Sequence, residues 1–297
     1  MLNTDYHSDM TQLISDLFIR DKIVLDETEI ASVIYHNLFD YPLNMQDLVR
    51  WRTGRQVHYM TQEAVNESQG YYFIGNRALI YKRLMREKLS KGKISIAKKA
   101  SRFIKLVPSV RMIGITGALA MKNAGHDSDI DLIIITSKNT LWSTRALLLP
   151  LLKLIGLPVR RYQNKSEKDK LCLNMWLDET ALCWHEARDI FTAHELAQIV
   201  PLYDTGGIYN KLRLENEWVN NFWPSAWGRI RKERQFTKKR FSILVFVLQL
   251  VNYPLMKLQY IYMKNKITRE VVNLHKALFH PVDWGKVVNT RLKPHSF

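Results

Sequence analysis

The stretch DSDIDLIIIT, residues 127–136, constrains the fold more than any other part of the 297-residue chain. It reads as a buried strand over 130–136 with two aspartates at its start. Alternate side chains of a strand share a face, so Asp129 and Asp131 point one way while Ile130, Leu132 and Ile134 point the other, into a core. Two carboxylates about 7 Å apart along one face repel each other unless a cation lies between them. Such a pair suits Mg²⁺ or Mn²⁺, which take oxygen ligands and keep waters and substrate phosphates in their shells. Taken alone, the pair is also what two solvent-facing aspartates at a strand start look like.

The residues upstream change that balance. A strand over 111–115 runs into ITGA, residues 115–118, and then into a short helix or loop over 119–123. Glycine lets a backbone approach a phosphate closely, and N–H groups at a helix start favour an anion. Gly117 precedes Asp129 by twelve residues. Strand, glycine turn, helix and Asp-x-Asp strand together put a phosphate cradle beside a metal pair, which could hold a nucleoside triphosphate by its metal-bound tail.

The rest of the chain divides into three. Residues 1–105 read as helices with one hairpin. Asp26 and Glu29 form a capping box, a helix follows to the break at Tyr41-Pro42, and two shorter helices follow, the second over 58–68. GYYFIGNRALIY reads as a hairpin turning at Gly75-Asn76, and a long Lys/Arg-rich helix covers 81–106. Three helices and a hairpin are the order of a winged helix-turn-helix. Residues 106–186 alternate strand and helix: a helix over 140–155 kinked near Pro150, a strand over 171–177, and a fourth strand over 181–184. Residues 187–297 read as mostly helical.

Charge bears on partners. Lys and Arg number 44 against 28 Asp and Glu, a net charge of +16. An excess of this size favours polyanions: nucleotides, RNA or another nucleic acid, or an anionic membrane. The basic runs over 82–105, 160–170 and 229–240 are the candidate contacts, with solvated helix faces as the competing reading. The segment 58–69 has no Lys or Arg and carries Glu63 and Glu67, which argues against a DNA-reading helix. Two cysteines, Cys172 and Cys183, make no disulfide framework, and the polar amino terminus is not a signal peptide, so a cytoplasmic protein is expected. The apolar stretch over 241–256 contains Gln249, Asn252 and Pro254 and reads as a buried helix, so a membrane is not the expected partner; the competing reading is an interfacial or membrane-inserted helix following the basic run over 229–240, as in a peripheral membrane protein. His275, Trp218, Trp223 and Trp227 read as packing or capping residues.

The Gly turn followed by Asp-x-Asp resembles the nucleotidyltransferase superfamily of DNA polymerase β. More closely, the chain resembles a bacterial and archaeal group of nucleotidyltransferase-domain proteins with an amino-terminal winged-helix-like segment. The matching elements are FDYPL (39–43), LWSTR (141–145), LCLNMWL (171–177) and FHP (279–281). The resemblance implies an α+β fold: a polymerase-β-like core of mixed sheet and flanking helices, a winged-helix-like amino-terminal domain and a helical carboxy-terminal region. It implies metal-assisted transfer of a nucleoside monophosphate from a nucleoside triphosphate to an acceptor hydroxyl on an RNA end, a small molecule or a protein. Asp129 and Asp131 would hold Mg²⁺ or Mn²⁺, one metal acidifying the attacking hydroxyl and the other stabilising pyrophosphate. Gly117 and its turn would bind the triphosphate, with Thr116 and Ser128 adding hydroxyls, and Lys122 and Arg145 adding charge.

Two positions depart from the superfamily pattern. The serine after the glycine is Ala118. The third carboxylate normally comes from a later strand, whose facing residue here is expected to be Asn174, able to ligate a metal but a poor base. Asp178, four residues on, would share the Asn174 face if the strand extends that far. These departures favour an alternative in which a degenerate nucleotidyltransferase fold binds nucleotide or nucleic acid without turnover.

Overall fold

A computed structural model describes residues 25–57, 59, 64–160, 167–228, 242–265, 270–279 and 283–292. Helix α1 (Glu27–Asn37) starts at Asp26, whose carboxylate accepts from the N–H groups of Thr28 and Glu29, while Glu29 reaches back to the Asp26 N–H at 3.0 Å. The expected capping box is therefore formed. Strand β1 (Leu43–Asn44) leads into helix α2 (Met45–Arg50), capped by Asn44.

The next elements depart from expectation. Position 58 and positions 60–63 of the expected third helix lie outside the described residues, but its end is strand β2 (Val65–Ser68), paired antiparallel with β3 (Tyr71–Ile74). The hairpin turns at Gln69-Gly70, both with positive φ (55° and 74°), rather than at Gly75-Asn76. Two consecutive positive φ values match the twist of a two-residue hairpin. Asn76 instead accepts from the Ala78 N–H at 2.7 Å and opens helix α3 (Ala78–Ile104), so ALIY belongs to a helix and not to a strand.

The chain then builds a six-stranded mixed sheet. Its elements are β4 (Val110–Ile115), α4 (Gly117–Ala120), β5 (Ile130–Thr136), α5 (Leu141–Leu154, with Pro150 inside), β6 (Leu171–Asp178) and α6 (Ile190–Ala197). Strands β4 and β5 are antiparallel, while β5 and β6 are parallel and joined through α5. Three more strands come from the region expected to be mostly helical: β7 (Val200–Asp204) on β4, β9 (Lys276–Leu278) on β6, and β8 (Val271–Val272) on β9. The full order is β7-β4-β5-β6-β9-β8. They are short, of two to five residues, and β7 and β8 form the two edges of the sheet; β7 contains Pro201, which an edge tolerates. The expected strand over 181–184 does not form. The Asn216 side chain accepts from the Trp184 N–H and donates to the Leu182 carbonyl, both at 2.8 Å, and so takes the bonds a neighbouring strand would need.

Both faces of the sheet are buried. Ile113, Ile115, Ile130, Leu132, Ile134 and Trp176 pack beneath α3 and α5. Met112, Ile133, Ile135, Met175 and Leu177 pack with α6, with helix α7 (Ile208–Glu215) and with helix α9 (Trp284–Leu292). Ala31, Tyr35, Trp51 and Val57 join this second core, so the amino-terminal segment shares its interior with the carboxy-terminal one. A smaller cluster around Leu43, Leu48 and Tyr72 is built from the amino-terminal segment, with Met121 packed against it.

Helix α8 (Ile243–Met263) differs from the buried helix expected over 241–256. It lies against α5, and of its residues only Leu248, Asn252 and Met263 are buried. The expectation rested on its apolar content, but apolar content alone does not say which face finds a partner.

Candidate functional site

Asp129 and Asp131 sit at the open end of β5, beside β4 on one flank and β6 on the other. Gly117 follows β4 with φ of +60°, a conformation that disfavours side chains. A Cβ there would lie 2.7 Å from Oδ2 of Asp131. The Thr116 N–H also donates to the Asp131 carbonyl at 3.0 Å. The glycine turn and the Asp-x-Asp strand, separated in sequence, are thus in direct contact, and glycine is needed at 117 for both backbone and space.

A one-residue register shift in β6 brings two further groups to the pair. Asp131 pairs with Cys172, yet Ile133 pairs with Met175. The extra residue lets Asn174 reach the Asp131 side, and its Nδ2 donates to Asp131 Oδ1 at 2.7 Å. Asn174 Oδ1 is buried without a hydrogen-bond partner. The Cys172 thiol and the two carboxylates offer ligand atoms all within 4.8 Å of one another. The same shift removes Asp178 from consideration. Strand β6 does extend to it, but Leu177 faces the Met175 side and Asp178 the opposite one. Asp178 is fully buried and holds the next turn, accepting from the N–H groups of Asn139 and Thr180 and pairing with His275 Nδ1 at 2.6 Å.

The electrostatics follow from this crowding. Burial, and then the charge of Asp129, push the Asp131 carboxyl up to about 7. Bonds from Cys172 and Asn174 and the Arg160 charge oppose the rise. Burial also pushes the Cys172 thiol up, and both aspartates add to it. Arg160 supplies the local positive charge: one guanidinium nitrogen lies 2.8 Å from Asp129 Oδ2, and the other contacts Glu167. The desolvated Asp131 carboxylate, the partly exposed Asp129 carboxylate and a thiol, with an unpartnered amide oxygen beside them, form a donor set that fits a divalent cation, with Asp129 and Asp131 as its anionic ligands.

Other expected site residues are placed unevenly. Thr116 is buried at the turn, and Ala118 is exposed on the first turn of α4. Lys122 is exposed on a left-handed turn residue, φ 56°. The Ser128 Oγ accepts from the Gly125 N–H at 2.9 Å and closes its own loop. Arg145 does not face the pair. Its guanidinium donates to Gln259 of α8 and stacks on Phe279, 4.9 Å from the ring centroid, and burial pulls its pKa down to about 10. Its position on α5 follows the far end of β5, a seven-residue strand from the aspartates, or about 20 Å of chain.

Sequence reasoning missed four residues. Cys172 was legible, two residues before Asn174 on the same strand. Arg160 was visible only as part of a basic run. Lys93 of α3 gave no signal: its buried ammonium donates to the carbonyls of His126 (3.2 Å) and Ser128 (2.7 Å) and pairs with Asp169 at 2.7 Å, fixing the loop before Asp129. Glu195 of α6 gave none either; burial, then the charge of Asp131, push its carboxyl up to about 8.

The basic runs are partly consumed inside the fold. In α3, Lys82 pairs with Asp40, Arg83 with Asp47 and Glu87, and Lys93 is buried, while Arg160 serves the aspartates. The run over 229–240, and the histidine and proline of the FHP element, lie outside the described residues. Trp223 and Trp227 are core residues, as expected. No protein-family model and no curated protein matches the chain.

Proposed function

We propose that the chain is a metal-dependent nucleotidyltransferase of the polymerase-β-like type, transferring a nucleoside monophosphate from a nucleoside triphosphate to an acceptor hydroxyl on an RNA end, a small molecule or a protein. The observation that carries this reading is the contact between Gly117 and the Asp131 carboxylate, which joins a backbone turn able to approach phosphate to a pair of neighbouring carboxylates. The order α3-β4-α4-β5-α5-β6-α6, with β4 antiparallel and β6 parallel to β5, supports a core of that type.

In this reading Asp129 and Asp131 hold Mg²⁺ or Mn²⁺, and Cys172 and Asn174 close the inner side of the ion's site. The ion supplies charge for the triphosphate and acidity for the acceptor hydroxyl. Gly117 offers its backbone to the phosphates. Lys93 keeps the Asp129 loop in place, and Arg160, which pairs with Asp129 here, would be available to phosphate oxygens if a bound cation took its place on that carboxylate.

A second reading, a nucleotide-binding module without turnover, is favoured by one observation. Asn174 presents its amide N–H to Asp131, so a neutral donor stands where a third carboxylate would act as base. Calorimetry with ATP, CTP, GTP and UTP, with and without Mg²⁺, on wild type and Asp129→Ala/Asp131→Ala tests the site shared by both readings. Unchanged metal-dependent affinity in the double variant would refute it. Pyrophosphate release on incubation with candidate acceptors then separates transferase from module.

A further inference from the structure

Helix α8 docks on the protein through three side-chain amides and a narrow stripe of Leu248, Met256 and Met263, and leaves most of its apolar groups outside. Asn252 Oδ1 accepts from the N–H groups of Trp142 (2.8 Å) and Ser143 (3.1 Å), satisfying the first turn of α5. Gln259 Nε2 donates to the Trp142 carbonyl at 2.9 Å, and Gln249 Nε2 to the Lys138 carbonyl at 3.0 Å. Leu248, Asn252, Met256, Gln259 and Met263 recur at three- and four-residue steps and form the contact stripe.

The rest of the circumference is apolar and exposed. Ile243 and Tyr262 are each 74% exposed, Leu250 and Leu258 63%, Ile261 62%, and Phe246, Val247, Tyr253 and Tyr260 about half. The helix meets the length and hydropathy of a membrane span with only 11% of its span window buried, so it is not a core helix. It contains no Asp or Glu, and its single charged side chain is Lys257, whose ammonium lies 4.8 Å from the Tyr253 ring centroid. The sequence on either side is basic: RIRKERQFTKKR precedes it, and Lys264 follows at once.

We propose that this outward face of α8 lies on an anionic lipid bilayer, with the helix parallel to the membrane plane. An apolar helix face with aromatic side chains, a lysine and basic flanks is the composition of an interfacial helix. The basic flanks attract the negative leaflet surface, whereas the absence of any acidic residue on the helix leaves nothing to pair with a cationic copy of the same chain. Asn252 and Gln259 fix the helix to α5, and Gln249 fixes it to the turn before α5, so the helix presents its face without leaving the fold. A membrane contact here is independent of nucleotide chemistry, and it takes up the competing reading of this basic-then-apolar segment in place of the buried helix first expected.

Flotation of the full-length protein with vesicles of equal parts phosphatidylcholine and phosphatidylglycerol, and with pure phosphatidylcholine vesicles, tests it. Wild type is expected to float with the anionic vesicles, at least tenfold less with the neutral ones, and Phe246→Glu/Leu250→Glu/Ile261→Glu is expected to stay at the bottom while melting as wild type does. Hydrogen exchange of wild type covers the case in which that variant does not fold: amides over 243–263 are expected to gain protection on anionic vesicles. Wild type that stays at the bottom with both vesicles, with unchanged exchange over α8, overturns the proposal. So does a wild-type dimer that the triple variant dissociates, because a second copy would then cover the face.

Discussion

Replacing Asp131 with asparagine separates the cost of the site from its use. In the folded protein the Asp131 carboxyl is pushed up to about 7 from 3.8, first by burial and then by Asp129. An acid whose folded pKa is raised keeps its proton in the folded state over a range where the unfolded chain has lost it. Metal-free stability is therefore fully present below about pH 4 and falls as pH rises through about 7. At about 1.4 kcal/mol for each pH unit between the two values, the burden at pH 8 is at most about 4 kcal/mol. The substituted side chain would carry no charge and could still accept from Asn174, but its amide N–H would be left beside Gly117 without a partner, at about 1–2 kcal/mol. Asp131→Asn is therefore expected to be more stable than wild type by about 2–3 kcal/mol at pH 8 in a chelator, with the gain gone by pH 4. Urea titrations at both pH values measure this. Millimolar Mn²⁺ should then raise wild-type stability at pH 8 and leave the variant unmoved, since only a ligand of the folded state stabilises it. A variant less stable than wild type at pH 8 without metal would show that the carboxylate is a structural acceptor, and the account of a strained, metal-seeking carboxylate would fall.

Three further outcomes follow from the same geometry. Gly117→Ala meets a left-handed φ and the Asp131 carboxylate at once; it should lose about 1–2 kcal/mol of stability and most metal-dependent nucleotide affinity, measured by urea titration and calorimetry. If Cys172 closes the ion's site, Co²⁺ added to wild type should give a thiolate-to-metal absorption in the near ultraviolet that Cys172→Ser lacks; saturating Co²⁺ that stabilises wild type without such a band would remove Cys172 as a ligand. The buried His36 and His194, 3.2 Å apart through their Nε2 atoms, link α1 to α6. Burial brings His36 down to about 3 and His194 well below its usual value, so the unfolded chain takes up protons that the folded one refuses. Their contribution is fully present above about pH 6.5 and lost as pH falls, by about 1.4 kcal/mol per pH unit for each ring. His36→Gln/His194→Gln should flatten that loss between pH 6.5 and 5, and an unchanged slope in urea titrations would contradict it.

What the sequence made legible were features with a local cause. The Asp26 capping box, the strand over 130–136 and the shared face of Asp129 and Asp131 depend on neighbours within a few residues, and all three stand in the fold. The hairpin was misplaced because two glycine positions competed. Gly75 was the more visible, but Gln69-Gly70 forms the turn once Asn76 is drawn into the start of α3. The three added strands β7, β8 and β9 are too short to show a period, and their pairing depends on exposed edges of β4 and β6 that only the assembled sheet provides. Asp178 shows the limit most plainly. Counting by twos along β6 sets it beside Asn174, but one extra residue in the register reverses the parity between them. Nothing within the strand announces that shift, because its cause lies in the pairing with β5.

The same shift explains how the site can exist at all. Asp131 continues the face of Ile133 and Ile135, both fully buried, so the strand carries its carboxylate to the margin of a dry core. A regular β6 would place one side chain opposite it; the shifted β6 places Cys172 and Asn174 there, one thiol and one amide, both polar and both nine-tenths buried. Neither carries charge in the metal-free state, and Arg160, the cation paired with the site among the described residues, bonds Asp129 rather than Asp131. Among the described residues the positive charge paired with the aspartates is therefore single and off-centre, while the negative charge is double. The residual imbalance falls on Asp131, the carboxylate that Gly117 leaves room for. In the metal-free protein a proton on Asp131 balances it up to about pH 7, and a divalent ion between the two aspartates would have to displace that proton, beside the turn at Gly117.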